Sequence, residues 1–162
     1  MPAAIHRATP ADVERLAPLF DAYRRFYGQP VDVTLARAFL EERLARGESW
    51  VLFATDASDD ATGDTTGDTT CDTLGLAQLY PMFSSVRCRR TLVLNDLYVV
   101  PSARGQGVAA ALLVAARQLA TGLGAASIVL QTAVDNRPAQ HLYERFGFVR
   151  DERFLTYALD LG

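Results

Sequence analysis

Apolar and polar residues follow two different periods along this chain, and the changes of period divide it into predicted helices and strands. Val13, Leu16, Phe20, Tyr23 and Tyr27 recur at helical spacing after a Thr-Pro-Ala-Asp start, so we expect them to form a buried stripe. Helices are predicted over residues 10–27, 34–45, 105–121 and 136–147. Strands are predicted over residues 3–7, 49–55, 73–80, 90–100, 126–132 and 153–159.

The order of these elements predicts an α+β fold with a mixed, mostly antiparallel sheet and helices on both faces. The strand–helix–strand unit of residues 91–132 implies two parallel strands joined by a right-handed crossover. Residues 126–132 are apolar throughout, which is typical of a strand buried on both faces. A length of 162 residues is enough for one hydrophobic core, so we expect one domain over residues 1–162.

Residues 56–73 interrupt the pattern, because Asp, Thr, Gly, Ala and Ser make up nearly all of this segment. It has no large apolar side chain to offset the loss of chain entropy, so we expect a mobile hairpin tip. Aspartate recurs every four residues from Asp60 to Asp72. A calcium loop needs alternating acids, a central glycine and a distal glutamate, which this spacing does not supply.

Charge and composition exclude several classes of function. The formal net charge is −3, and all 16 basic residues are arginine, so lysine Schiff-base chemistry is impossible in this chain. The arginines are dispersed, whereas a nucleic-acid-binding protein would show a dense basic stripe. No apolar run is long enough for a membrane span and no signal peptide is evident, so a cytoplasmic location is expected. The two cysteines and two histidines lack metal-ligand spacing, and no metal is predicted.

The most informative stretch is residues 92–112, which reads as a β-branched strand, a glycine turn and an Ala/Leu-rich helix. A glycine turn at a helix start presents unpaired N–H groups and the positive end of the helix dipole. This arrangement predicts a binding site for phosphate.

Three kinds of glycine loop compete for this stretch. A P-loop requires a lysine, which the chain lacks. The segment from Gly105 to Ala110 fits a loose dinucleotide pattern, but that fold needs an acid about 20 residues later, and none occurs before Asp135. The third match is residues 104–109, Arg-Gly-Gln-Gly-Val-Ala, to the (Gln/Arg)-x-x-Gly-x-(Gly/Ala) loop. On this loop, on residues 95–99 before it and on residues 136–147 after it, the chain resembles the GNAT N-acetyltransferase superfamily, in particular its small diamine and histone-tail-like branch.

The resemblance implies a GNAT fold and acetyl-CoA as cosubstrate. The strand before the loop and the strand of residues 126–132 would separate beyond a bulge, and the cofactor would enter between them. The backbone of Leu97, Tyr98 and Val99 would pair with the pantetheine arm, and Asn136 would hydrogen-bond to the same arm. The diphosphate would be held by Arg104, Gly105, Gln106, Gly107, Val108, Ala109 and Ala110.

The resemblance also implies transfer of acetyl to an amine. Tyr143 lies seven residues after Asn136, where many of these enzymes place the tyrosine that protonates the departing thiolate; a core-packing tyrosine is the alternative. Diamine-type relatives carry Glu-Asp where this chain has Asn95-Asp96, and asparagine cannot accept a proton. Asp96 is therefore expected to act as a base through a water or as an anchor for the acceptor's ammonium, with a purely structural role left open.

The functional expectation is an N-acetyltransferase acting on a small-molecule or peptide amine. A catalytically weak acyl-CoA-binding sensor is the second hypothesis, supported by Asn95, and a dinucleotide-binding protein is the third. Tyr23 and Tyr27 would either pack in the core or line the acceptor cleft. Dimerisation is common among proteins that this chain resembles, and a homodimer is the corresponding expectation.

Overall fold

Five strands form one mixed sheet in the computed structural model, which describes residues 3–56 and 73–161. The strands lie side by side in chain order; the first four are antiparallel, and the fifth is parallel to the fourth. The predicted mixed, mostly antiparallel sheet is therefore confirmed. The strands are β1 (Ala3–Arg7), β2 (Trp50–Asp56), β3 (Gly75–Ser84), β4 (Arg89–Val99) and β5 (Ile128–Val129).

The described part of the chain contains four α-helices, and two of them begin at a side-chain cap. They are α1 (Val13–Phe26), α2 (Val33–Ala45), α3 (Val108–Gly122) and α4 (Arg137–Phe146). The side chain of Asp32 accepts a hydrogen bond from the Leu35 N–H at 2.8 Å and so starts α2. None of the helices within residues 3–56 and 73–161 combines the length and apolarity needed to cross a bilayer.

Both faces of the sheet are covered by helices. Val51, Phe53 and Leu76 belong to a buried cluster shared with α1 and α2. Leu52 and Ala54 alternate with them and point to the opposite face, where α3 packs across the first four strands. This arrangement confirms the predicted helices on both faces.

The chain divides into two compact units, Met1–Gln131 and Thr132–Gly162, and each is described by itself. The first contains the sheet and α1 to α3, and the second contains α4. The expectation of one domain stays a prediction. The predicted mobile hairpin tip lies outside the described residues from residue 57 to residue 72.

The structure extends β3 beyond the predicted end at Tyr80, to Ser84. The predicted strand of residues 73–80 stops just before Pro81, a residue that cannot donate to a sheet ladder. Pro81 lies opposite Leu92 in a cross-strand pair that is not hydrogen-bonded. The Leu92 N–H instead donates to Ser127 O, on the β5 side, at 3.0 Å. The missing proline N–H is therefore not needed at this position, and the strand continues.

Two predicted strands are wrong in extent. The predicted strand of residues 126–132 is reduced to Ile128–Val129, and Val129 is 40% exposed rather than buried on both faces. Residues 149–161 contain neither helix nor strand, so the predicted strand of residues 153–159 is absent from the described chain. An apolar or alternating pattern shows that residues can pair, but a strand also requires a neighbouring edge to hydrogen-bond with.

The predicted buried stripe of α1 needs one correction, and α2 buries small as well as large residues. Tyr27 follows the last residue of α1 and is 55% exposed, so it is not part of the buried stripe. In α2 the buried residues are Ala36 and Leu40, whereas Leu35 is 52% exposed. Small residues such as Ala36 allow close helix packing that a search for large apolar side chains misses.

Candidate active site

The turn between β4 and α3 is built on two glycines in the left-handed region. Gly105 and Gly107 have φ angles of +75° and +86°, which L side chains rarely adopt. A Cβ atom added to either glycine would meet no described atom within 4 Å. Backbone conformation rather than crowding therefore requires glycine here.

The N–H groups of residues 105–110 are the principal chemical feature of this turn. The N–H of Arg104 is bonded to Pro101 O, and that of Ala111 to Gly107 O, at 3.3 and 3.0 Å. Within the described residues, no acceptor takes the N–H groups between these two positions. Because α3 is 15 residues long and its dipole adds to these donors, the turn can bind an anion such as a diphosphate.

The side chains of Arg104 and Gln106 hold the turn in place. Arg104 Nε donates to Val99 O at 3.0 Å, and its guanidinium carbon lies 5.8 Å from the centre of the Tyr98 ring. Gln106 Nε2 donates to Ser102 O at 2.8 Å. The guanidinium of Arg104 is thus anchored on β4, and the backbone supplies most of the anion-binding donors.

A one-residue bulge in β4 marks the point where this strand leaves β5. Leu79 lies opposite Leu94, but the next pair is Gln78 opposite Asp96, so Asn95 is the extra residue. A bulge of this kind changes which residues face each edge of the strand. Sequence analysis anticipated a bulge through the family resemblance, and the structure contains one at Asn95.

Beyond the bulge, β4 presents backbone groups to an edge without a described strand. Pairing between β4 and β5 ends at Val93. The N–H of Leu92 points toward β5, whereas that of Val100 is bonded on the β3 side, each at 3.0 Å. Because alternate residues face opposite edges, Leu97 and Val99 face away from β3. Of the three predicted pantetheine-pairing residues, these two have the open orientation, and Tyr98 faces β3.

Asp96 is a buried carboxyl group beside the bulge, with 4% of its surface exposed. Burial raises its pKa above the usual 3.8, and hydrogen bonds from the Tyr23 hydroxyl and the Asn95 amide oppose that rise. Burial and the charge of Asp96 also raise the pKa of Tyr80, to about 12. A carboxyl group with a raised pKa at a strand break is suited to accepting a proton near neutral pH.

Aromatic side chains surround Asp96 on the α1 side of the sheet. Tyr23 lies with its ring centre 6.2 Å from that of Tyr98 and 5.2 Å from that of Tyr27. Tyr98 is also 6.5 Å from Phe26. Of the two tyrosines that sequence analysis considered for the acceptor side, Tyr23 contacts Asp96, and Tyr27 lies in the exposed part of the same aromatic cluster.

Asn136 and Tyr143 belong to the second unit. The Asn136 side chain caps α4 by accepting from the Ala139 N–H at 3.3 Å. Tyr143 is partly buried and packs against Phe148 with ring centres 5.7 Å apart. The first unit brings together the other predicted site residues on one continuous strand, turn and helix.

Sequence analysis missed Gln78 and Ser49, which are buried in the same row of the sheet as Asp96. Gln78 is an isolated polar residue in the apolar run of β3, and that exception was the available indication. Among residues 3–56 and 73–161, no three His, Cys, Asp or Glu side chains come together in a group that could hold a metal ion.

This chain is similar to known acetyltransferases in both sequence and structure. The model of the acetyltransferase (GNAT) family matches residues 16–148. Uncharacterized N-acetyltransferase YhfO of Bacillus subtilis is 41% identical over 157 residues, which is 97% of each chain. A crystal structure of a probable acetyltransferase is 40% identical, with a TM-score of 0.85 over 98% of each chain. N-alpha-acetyltransferase 30 of Schizosaccharomyces pombe is 44% identical over 64 residues, 40% of this chain and 43% of that protein.

Proposed function

Because the chain belongs to the acetyltransferase (GNAT) family, we propose that it transfers the acetyl group of acetyl-CoA to a primary amine of a small molecule or peptide. The amine attacks the thioester carbonyl directly, so a C–N bond forms as the C–S bond breaks. The observation that carries this proposal is the row of N–H groups over residues 105–110, which have no acceptor among the described residues.

The turn fits the diphosphate of acetyl-CoA by its chemistry. Diphosphate oxygens need several convergent donors, and the N–H groups of residues 105–110 are donors in sequence at a helix start. Gly105 and Gly107 carry no Cβ that would keep a ligand away from the backbone. An acidic protein can bind a polyanion in this way because the donors are backbone amides rather than side-chain charges.

The edge of β4 beyond Asn95 fits the pantetheine arm. This arm contains two amides, and the backbone of Leu97 and Val99 faces away from β3. The Val99 carbonyl already accepts from Arg104, but a carbonyl oxygen has a second lone pair. Asn136 keeps its side-chain N–H₂ group after capping α4, and we assign that group to the same arm.

Asp96 removes the proton that makes the acceptor amine unreactive. An alkylamine with a pKa near 10.4 is protonated at neutral pH, and forming its free base at pH 7 costs about 4.6 kcal/mol. The raised pKa of Asp96 brings this carboxyl group closer to the working pH of a base. Asn95 supports the carboxylate as a hydrogen-bond donor at 3.0 Å instead of serving as a base.

Tyr143 supplies a proton to the leaving thiolate. Its assignment depends on its place on α4, seven residues after the Asn136 cap, and on the family to which the chain belongs.

The family branch, the cytoplasmic location and the homodimer inferred from resemblance stay predictions. Gel filtration with light scattering tests the homodimer.

The test of this proposal is release of free thiol from acetyl-CoA in the presence of a panel of polyamines, aminoglycosides, amino acids and peptides. N-terminal peptides belong in the panel because one relative, similar over 40% of this chain, is an N-alpha-acetyltransferase. We expect at least one primary amine to accelerate thiol release and to appear as its N-acetyl product in mass spectra. Binding of acetyl-CoA without acceleration by any amine would contradict the proposal and favour an acyl-CoA sensor.

A further inference from the structure

A row of three buried polar residues crosses the sheet on the side covered by α1 and α2. Gln78 of β3 lies directly opposite Asp96 of β4, and Ser49 immediately precedes β2 on the other side of Gln78. Gln78 has no exposed surface, and both other residues are buried. Their neighbours on this face, such as Val51 and Leu76, are apolar core residues, so the polar row is an exception that needs an explanation.

The hydrogen bonds of this row are incomplete on one side. Gln78 Nε2 donates to Ser49 Oγ at 3.1 Å, which turns the amide nitrogen toward β2. Gln78 Oε1 is buried and has no donor among the described residues. Asp96 accepts from Asn95 at Oδ1, but Oδ2 is also buried and without a donor in the described chain.

The two acceptors lie on side chains that face each other. Gln78 and Asp96 form a hydrogen-bonded cross-strand pair, so their Cβ atoms are roughly 5 Å apart. Each acceptor left without a donor in a buried place is costly. A single molecule with two O–H donors satisfies both at once, and a water molecule has this geometry.

We propose that Gln78 is a positioning residue that, together with Asp96, holds a water molecule between Gln78 Oε1 and Asp96 Oδ2 for removal of the acceptor's proton. This role rests on the proposed acetyltransferase function. The water donates one hydrogen to each oxygen and directs a lone pair toward the ammonium. It accepts a proton from the ammonium nitrogen as it passes its own proton to Asp96 Oδ2, which leaves a neutral amine, water and a neutral carboxyl group.

Around Gln78 and Asp96, few groups other than Asp96 itself could accept this proton. The titratable or charged side chains acting on Asp96 or its neighbour Tyr80 are Tyr23 from α1, Tyr80 from β3 and Arg43 from α2. Tyr23 donates to Asp96, and the pKa of Tyr80 is raised to about 12, so neither is a proton acceptor at neutral pH. Asp96 is thus the only carboxyl group among these neighbours.

The first test compares Gln78→Met with Gln118→Met, the same substitution at an exposed position of α3. Methionine keeps the length of glutamine and removes both polar atoms. For the best amine, Gln78→Met should lower kcat by on the order of 10²-fold with little change in KM for acetyl-CoA. Gln118→Met should stay within about threefold of the wild type. Equal kcat values in the two variants would overturn the proposal.

The second test uses an amine that does not need deprotonation. A fluorinated analogue of the best acceptor, with an ammonium pKa below the assay pH, should be acetylated by Gln78→Met at close to the wild-type rate. A defect of the same size on both amines would mean that Gln78 only supports the structure, and would overturn the proposal. Absence of wild-type turnover with every amine would instead count against the proposed function.

The third test asks whether Gln78 acts as an acceptor or as a donor. Gln78→Glu keeps an acceptor oxygen and loses the amide N–H₂ group. A second carboxyl group raises the pKa of Asp96, so each variant is compared at its own optimum pH. Activity of Gln78→Glu at least tenfold above that of Gln78→Met supports the water site. Equal loss in the two variants would show direct donation from Gln78 to Asp96 and would overturn it.

Discussion

In the proposed function, the turn after β4 and the buried row across the sheet bind their partners by opposite means. In the turn, residues 105–110 offer backbone N–H groups that have no acceptor in the described chain. In the row, Gln78 and Asp96 use side-chain oxygens that are buried beneath α1 and α2. The bulge at Asn95 is the point where the strand changes from the second environment to the first.

The difference separates recognition from chemistry. In the proposed reaction, backbone donors in the turn hold the diphosphate, a charged group that is the same in every reaction cycle. A buried carboxyl group instead changes its protonation state, and its pKa depends on every side chain around it. Substitutions in the turn should therefore act on the affinity for acetyl-CoA, and substitutions in the row should act on turnover.

The largest effect is expected for Asp96→Asn. Removal of the proton acceptor should lower kcat by on the order of 10²- to 10³-fold, with the KM for acetyl-CoA unchanged. Steady-state thiol release measures both constants. Glu41→Gln, which neutralises an exposed carboxyl group on α2, is the control and should behave as wild type. A normal kcat for Asp96→Asn would show that Asp96 is not the proton acceptor.

Tyr143→Phe should lower kcat by on the order of 10²-fold, because the thiolate then leaves without a proton donor. Phenylalanine keeps the ring that packs on Phe148, so the packing of this ring is retained. The defect should shrink with an activated thioester whose thiol has a low pKa, such as a thiophenyl ester. A loss of the same size with both thioesters would argue for a packing role instead.

A matched pair of glycine variants isolates the turn. Gly107→Ala and Gly124→Ala both place alanine at a positive φ, +86° and +67°, and in both cases the new Cβ meets no described atom. Each should lose about 1 kcal/mol of stability from strain. Only Gly107→Ala should weaken acetyl-CoA binding, by about tenfold in isothermal titration. Equal affinities for the two variants would show that the turn is not the binding site.

Arg104→Ala should have a smaller effect, about two- to threefold in the Kd for acetyl-CoA. The Arg104 side chain is anchored on Val99 O and Tyr98, and an exposed charge contributes little through solvent. Isothermal titration of Arg104→Ala and of Gly107→Ala with acetyl-CoA compares the two Kd values. A loss larger than that of Gly107→Ala would mean that side-chain charge, and not the backbone, dominates recognition.

The smallest effect concerns stability and pH. Burial raises the pKa of Asp96 above 3.8, so between 3.8 and the raised value the folded protein binds more protons than the unfolded chain. The free energy of unfolding contributed by Asp96 therefore falls as pH rises through this window. Asp96→Asn does not ionise, so its Tm relative to wild type should increase from about pH 4 to about pH 7. A constant difference would contradict the raised pKa.

Much of the fold and the whole turn could be predicted from sequence because local rules determine them. Positive φ angles at Gly105 and Gly107, the Asn136 cap and the stop of α4 at Gly147 each follow from residues that are neighbours in the chain. The same is true of α2, for which capping by Asp32 sets the start. Features of this kind depend only on a few consecutive residues.

The buried row could not be predicted because it depends on register between strands. Gln78 and Asp96 are 18 positions apart, and only the pairing of β3 with β4, shifted by the bulge at Asn95, places them opposite each other. The continuation of β3 through Pro81 depended on pairing in the same way. Residues 153–159 were predicted as a strand from alternation alone, and pattern without a partner was insufficient.

Amide NMR spectra of the protein with ¹⁵N labelling test the central claim most directly, by comparing titration with CoA and titration with pantetheine, which lacks the diphosphate. If residues 105–110 bind the diphosphate, CoA should move their amide resonances, with pantetheine leaving them in place. Binding of CoA that leaves these six resonances unmoved would contradict the account.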